Sequence, residues 1–127
     1  MQKSFVKEFK LYCKKKNLDV NSHQIKLIKT LEEYYKLNYK SFISKILSKK
    51  NNKKGFYLHG DVGVGKTMIL DFFFNLVEGK KLKLHFNEFM LSFHDFVHQS
   101  KDKNDENKIC KFVKKLKSKA KLIYFDE

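Results

Sequence analysis

Gly60-Asp61-Val62-Gly63-Val64-Gly65-Lys66-Thr67 fits the pattern G-x-x-x-x-G-K-[ST], in which a glycine-rich loop wraps a chain of phosphates. Glycine at 60, 63 and 65 lets the backbone turn with positive φ and approach a ligand without Cβ clashes, so successive N–H groups converge on one anion. Lys66 is placed to reach the β- and γ-phosphates, and the Thr67 hydroxyl to meet the Mg²⁺ between them. The flanks agree with this reading. Gly55-Phe56-Tyr57-Leu58-His59 is short, apolar and aromatic, which predicts a buried parallel strand. Met68 to Val77 is too long and too evenly apolar for one strand and predicts a helix, with Gly79 placed to stop it. The positive end of that helix's dipole faces the same phosphates.

A second motif lies at Lys121-Leu122-Ile123-Tyr124-Phe125-Asp126-Glu127. Four apolar residues followed by Asp-Glu predict another buried parallel strand that delivers two carboxylates at its C-terminal edge, a Walker B pattern. In that role Asp126 holds Mg²⁺ through its water shell and Glu127 polarises the water that attacks the γ-phosphate. Alone, such a run equally fits a strand entering an acidic turn. Its position downstream of the phosphate loop favours the Walker B reading.

Composition sets the outer limits. The chain of 127 residues suits one domain, and 42% hydrophobic content with 13 Phe and 6 Tyr is ample for a core. Pro, Trp and Arg are all absent, so every one of the 28 basic side chains is Lys and these residues offer no arginine finger. No apolar run reaches the roughly 18 residues of a membrane span, and residues 1–5 open no signal-peptide core, from which we expect a soluble, cytoplasmic chain. Cys13 and Cys110 stand outside any C-x-x-C; we expect reduced thiols, Cys110 part-buried, without metal or redox function. Residues 1–54 hold 15 Lys against 4 acids, +11 of the net +14. That excess suits an anionic partner such as nucleic acid, a lipid surface or an acidic protein. A Lys/Asn-rich composition that coats every surface with lysine explains it better, because no aromatic residues interleave with the lysines to stack bases. Nucleic-acid contact is therefore expected to be weak and non-specific.

Helical periodicity is clear along the chain. Phe5, Val6, Phe9, Tyr12 and Cys13 form one face of an amphipathic helix over residues 3–16. A second helix opens with Asn21 as N-cap, Gln24 as its capping partner and Val20 poised to staple onto Ile25. It is expected to run through Ile28, Leu31, Tyr35, Phe42, Ile43, Ile46 and Leu47, with a break near Asn38, before a polar linker at Lys49–Lys54. Leu82, Leu84 and Phe86 alternate with Lys81, Lys83 and His85, predicting a strand near a sheet edge. Asn87 is the expected cap of a helix bearing Phe89, Met90, Phe93, Phe96 and Val97. His94 and His98 on it have metal-ligand spacing, but without a third ligand nearby they read as surface or part-buried histidines. A polar loop at Ser100–Asn104 precedes a helix carrying Ile109, Phe112, Val113 and Leu116.

This order of parts resembles the ZapE family of AAA+ ATPases, bacterial cell-division proteins with mitochondrial AFG-one-like relatives. Leu18-Asp19 with Gln24 is similar to the family's N-terminal L-x-D-x-x-Q region, and Gly55 to Met68 to its G-hydrophobic-Y-L-x-G-x-V-G-x-G-K-T-hydrophobic segment. Asp71-Phe72-Phe73 resembles its D-L-F-F, and Phe125-Asp126-Glu127 its F-D-E. The run His85-Phe86, Phe89-Met90 and His94 resembles its H-F-h-x-F-M-x-x-x-H, which separates this family from other P-loop ATPases. Val64 and Glu88 depart from the basic or polar residues of the family pattern, at a contact near the phosphates or on a partner surface.

The resemblance covers nearly all of the chain but only the first part of a family member, which continues with sensor residues, further strands and the trans-acting arginine. It implies an α/β, AAA+-like P-loop NTPase parallel sheet with flanking helices, an N-terminal helical segment before it, and an incomplete sheet. In the family's sheet order the P-loop strand lies between two strands still to come, so here it pairs with the Walker B strand or stands poorly supported. The expected division is a Lys-rich helical segment and linker over 1–54 and a truncated core, Walker A to Walker B, over 55–127. It also implies ATP and Mg²⁺ as ligands, Gly60 to Met68 as the nucleotide loop, Lys66 and Glu127 as catalytic residues, and Thr67 and Asp126 on the metal.

Three functions follow for test. The first is a ZapE-type ATPase acting on a protein partner, cell-division or membrane-associated, with a homo-oligomer left open. The second is a nucleotide-binding fragment with little turnover, and the third a helicase-loader-like AAA+ protein that binds nucleic acid.

Overall fold

The computed structural model describes residues 4–39, 55–59 and 65–126, which form an α/β chain divided into two compact units between Asn75 and Leu76. The first unit is built on α1 (Phe5–Lys15), α2 (Ser22–Tyr39) and most of α3 (Lys66–Leu76). Each helix buries an apolar stripe at helical spacing: Phe5, Phe9 and Cys13 from α1, Ile28 and Leu31 from α2, Ile69, Phe72 and Phe73 from α3. The rings interlock edge to face or tilted, Phe9 at 5.2 Å from Phe72, Phe5 at 5.2 Å from Tyr35 and Tyr12 at 5.4 Å from Phe72.

Local chemistry ends α1 and starts α2. Asn17 takes a left-handed φ of 52°, the Leu18 N–H donates to the Cys13 carbonyl at 2.8 Å and the Asn17 N–H to the Lys14 carbonyl at 3.3 Å. This is a Schellman closure with Asn in the position usually held by Gly. The expected capping box is present: the Gln24 N–H donates to Asn21 Oδ1 at 2.8 Å, and the Asn21 N–H to Gln24 Oε1 at 3.2 Å. α2 is helical through Asn38 to Tyr39, and the stretch after it, where a break near Asn38 would show, lies outside the described residues. Asn38 Nδ2 donates to the Tyr34 carbonyl one turn back at 2.9 Å, which satisfies its amide inside the helix. Phe42, Ile43, Ile46, Leu47 and the linker Lys49–Lys54 lie outside the described residues.

Gly55–His59 is not the strand its composition predicts; it has no regular secondary structure, and Tyr57 is 80% exposed. A parallel strand exists only through ladder partners on its backbone, and the sheet among the described residues joins two other segments.

The second unit runs β1 (Lys81–His85), α4 (Phe86–Gln99), α5 (Asp105–Lys119) and β2 (Leu122–Asp126). β1 and β2 pair in parallel from Lys81↔Leu122 to His85↔Asp126, the two helices forming the crossover that parallel neighbours need. Phe86 opens α4 instead of ending the strand, and His85, extended at φ −73° and ψ 134°, stands at the cap position expected for Asn87, which falls in the first turn. The ladder stops at His85, so the backbone is released into the helix one residue earlier than the alternation suggested. Asn104, read from sequence as loop, caps α5 by accepting the Glu106 N–H at 2.9 Å. Phe112 is the buried centre of this unit, with Phe93, Phe96 and Phe89 rings 5.1, 5.4 and 5.6 Å away.

Cys13 is buried, and desolvation pushes its thiol pKa up. Cys110 is exposed, not part-buried. Two residues before the inward-facing Phe112, it falls on the opposite side of α5.

Candidate nucleotide-binding site

Of the phosphate loop, Gly65 to Met68 are described; Gly60, Asp61, Val62, Gly63 and Val64 lie outside the described residues, as does Glu127. Gly65 adopts φ +78°, open to glycine at little cost, and the chain passes from it directly into α3. The Ile69 N–H donates to the Gly65 carbonyl at 3.0 Å, making Gly65 the residue from which the first helical rung hangs. Lys66, Thr67 and Met68 therefore occupy the first turn, the helix starting two residues earlier than an apolar run beginning at Met68 suggests, and their backbone N–H groups point out of the helix end. Those amides and the helix dipole attract an anion there. Thr67 is exposed and Lys66 half-buried, which keeps both side chains within reach of a ligand at this end.

Sequence reading missed a neighbour of this turn. A Cβ on Gly65 would stand 3.3 Å from Gln24 Nε2 and 3.5 Å from Met68 Cε, so a side chain at position 65 would crowd the Gln24 amide, and the φ of +78° disfavours one in any case. No local signal reveals this contact, because the capping motif of α2 and the loop are far apart in the chain.

In the second unit, Asp126 is the last residue of β2 and the register partner of His85. Its carboxylate sits at the C-terminal edge of the parallel pair, the edge at which α/β sheets present ligand-binding groups. Lys83 Nζ lies 4.0 Å from Asp126 Oδ2 and 5.1 Å from the Tyr124 ring centroid, an outlying cation unnoticed in the sequence. At that distance and with both side chains partly exposed, the ion pair is weak.

Among the described residues no group of three or more His, Cys, Asp and Glu could hold a metal, and His94 and His98 are exposed on α4. No helix among them is long and apolar enough to cross a membrane. The Thr67 hydroxyl and the Asp126 carboxylate are hard oxygen donors, the class that Mg²⁺ takes alongside water and phosphate.

Over 67 residues the chain is 40% identical to lactation elevated protein 1 homolog B of Danio rerio, a match covering 52% of this chain and 13% of that protein. Over 91 residues it is 31% identical to cell division protein ZapE of Escherichia coli strain K12, covering 67% of this chain and 24% of that protein. The chain thus spans about a quarter or less of the length of these curated relatives. No solved structure matches it. The family model described as AFG1-like ATPase matches residues 9–127, a span that takes in all of α2, the glycine turn, α3, both strands and Asp126; the chain belongs to the AFG1-like ATPase family.

Proposed function

We propose that this chain is the nucleotide-binding first part of a ZapE-type AAA+ ATPase that binds MgATP and couples its hydrolysis to action on a protein partner. The observation that carries the reading is the left-handed Gly65 turn leading straight into a helix whose first two residues are Lys66 and Thr67. In this reading Gly60, Asp61, Val62, Gly63, Val64, Gly65 and Met68 line the phosphates with backbone N–H groups, and Lys66 sets its ammonium against the β- and γ-phosphates. Thr67 and Asp126 hold Mg²⁺, which neutralises phosphate charge when bound. Glu127 orients and polarises the attacking water. The core spans 55–127, with 1–54 as a Lys-rich helical segment, and the chain works in the cytoplasm.

Support for the ATPase class comes from the family match, and the relative named as a cell division protein makes division the first setting to test. A second reading, nucleotide binding with little turnover, is favoured by one fact: these 127 residues contain no arginine to stabilise the transferring phosphoryl group. Calorimetric titration of MgATP tests the first step. Binding by the parent and none measurable in Lys66→Ala is the expected result, and a variant that binds like the parent refutes the loop assignment. Turnover assays then separate the two readings, robust hydrolysis by the 127-residue chain, lost in Glu127→Gln, favouring a self-sufficient ATPase.

A further inference from the structure

Gln24 is the one buried polar side chain among the described residues, 9% exposed, and its surroundings fix which way its amide points. Oε1 is held by the Asn21 N–H, and the Gln24 N–H is tied to Asn21 Oδ1. With its oxygen committed to the cap, the amide must turn its nitrogen the other way. There Nε2 lies 3.3 Å from where a Cβ on Gly65 would stand, and its two N–H donors meet no acceptor among the described residues. The turn it touches is the left-handed residue that opens α3 and aims the first-turn amides outward. One neutral, donor-bearing group on the start of α2 thus abuts the end of the phosphate loop.

We propose that Gln24 is a positioning residue of the nucleotide site: the capping box holds its amide, and the amide holds the Gly65 turn in the conformation that receives phosphate. The inference rests on the nucleotide reading above and adds a coupling to it. If the amide supports the turn that binds phosphate, bound phosphate must stabilise the amide's position in return, because coupling between two sites is reciprocal. Nucleotide occupancy is then felt at the N-cap of α2.

Gln24→Glu separates this role from plain capping. Glutamate serves as well as glutamine in a capping box, so α2 keeps its start, but a carboxylate oxygen replaces the NH₂ beside Gly65. An anion there competes with phosphate for the helix end. Titration of MgATP into the parent, Lys66→Ala, Gln24→Glu and Gln24→Ala chains is combined with residue-resolved amide exchange. The expected result is a helix content and unfolding midpoint for Gln24→Glu equal to the parent's, with affinity for MgATP lowered about tenfold or more. In the parent, MgATP slows exchange of the Asn21 N–H; in Gln24→Ala that response is lost. A Gln24→Glu chain that binds MgATP within about twofold of the parent, or an Asn21 amide indifferent to MgATP, overturns the inference while leaving the nucleotide reading in place. A parent that does not bind MgATP overturns both.

Discussion

The helix unit that carries Gly65 to Thr67 and the strand unit that carries Asp126 are packed to different depths. In the first, Phe9, Ile28 and Ile69 are fully buried, rings from α1 and α3 interlock, and the helix termini joining α1 to α2 are closed by specific hydrogen bonds. In the second, α4 buries none of its residues, Leu91 is 66% exposed, and the sheet among the described residues has two strands. Phe112 and its ring neighbours form the aromatic cluster of that unit, beside the smaller buried side chains Val77, Ala120 and Leu122. Two strands with one aromatic cluster are close to the minimum that stands independently in water. Gly65, Lys66 and Thr67 thus belong to the more deeply packed unit and Asp126 to the shallower one, where local opening is expected to cost less.

Core truncation gives the widest test of that contrast. Phe9→Ala removes a fully buried ring and should cost about 3–5 kcal/mol, while Phe112→Ala, in looser surroundings that collapse more readily, should fall at the low end of that range. Urea unfolding of both variants decides it. A larger loss for Phe112→Ala would reverse the comparison.

Asn17 comes next in size. A β-branched residue forced to φ 52° should cost about 1–2 kcal/mol, so Asn17→Val is expected to lower stability by that amount. Asn17→Gly, free to adopt the same φ, should stay within about 0.5 kcal/mol of the parent. Equal midpoints for the two variants would show that the Schellman closure contributes nothing and that packing alone makes the first unit firm.

The parts that were legible in the sequence are those set by near neighbours. The capping box spans three residues, so Asn21 and Gln24 announce it, and the alternation of Leu82 and Leu84 with lysines is a property of β1 itself. Gly55–His59 misled because a strand needs partners that its own residues cannot supply. Asn104 went unread as a cap since Ser100–Asn104 is uniformly polar, and nothing in its composition singles out the residue whose side chain reaches Glu106. The Gln24 contact with Gly65 and the Lys83 approach to Asp126 arise only when distant segments meet, so these neighbours of the candidate site are not legible in the sequence, whereas its glycine-rich and acidic motifs are.

Alkaline titration probes the firm unit at its margin. Tyr39, at the end of α2, has its pKa pushed up from 10.0 to about 12 by burial first and then by the neighbouring phenols of Tyr34 and Tyr35. A raised folded-state pKa means the folded chain holds the proton more tightly, so the stability it contributes is whole below about pH 10 and is lost as pH climbs toward 12. Discounted for solvent screening, the loss should be below about 1 kcal/mol. Unfolding midpoints measured across that window should fall less for Tyr39→Phe than for the parent. Identical falls would place the alkaline sensitivity elsewhere.

The smallest effect is expected at Lys83. Its ammonium is 4.0 Å from the Asp126 carboxylate with both side chains partly exposed, and it also lies over the Tyr124 ring. An ion pair of this kind contributes about 0–1 kcal/mol, and the cation–π contact at an exposed site about as little. Lys83→Met keeps the aliphatic length over Tyr124 and removes the charge, so the unfolding midpoint should move by less than about 1 kcal/mol and lose most of its dependence on salt near Asp126. Functionally the sign should reverse. With the competing cation gone, Asp126 is a better ligand for a divalent ion, and Mg²⁺ should promote ATP binding at a lower concentration than in the parent. A loss of about 2 kcal/mol or more on removing Lys83 would mean that the ion pair, more than the Phe112 cluster, secures the strand unit.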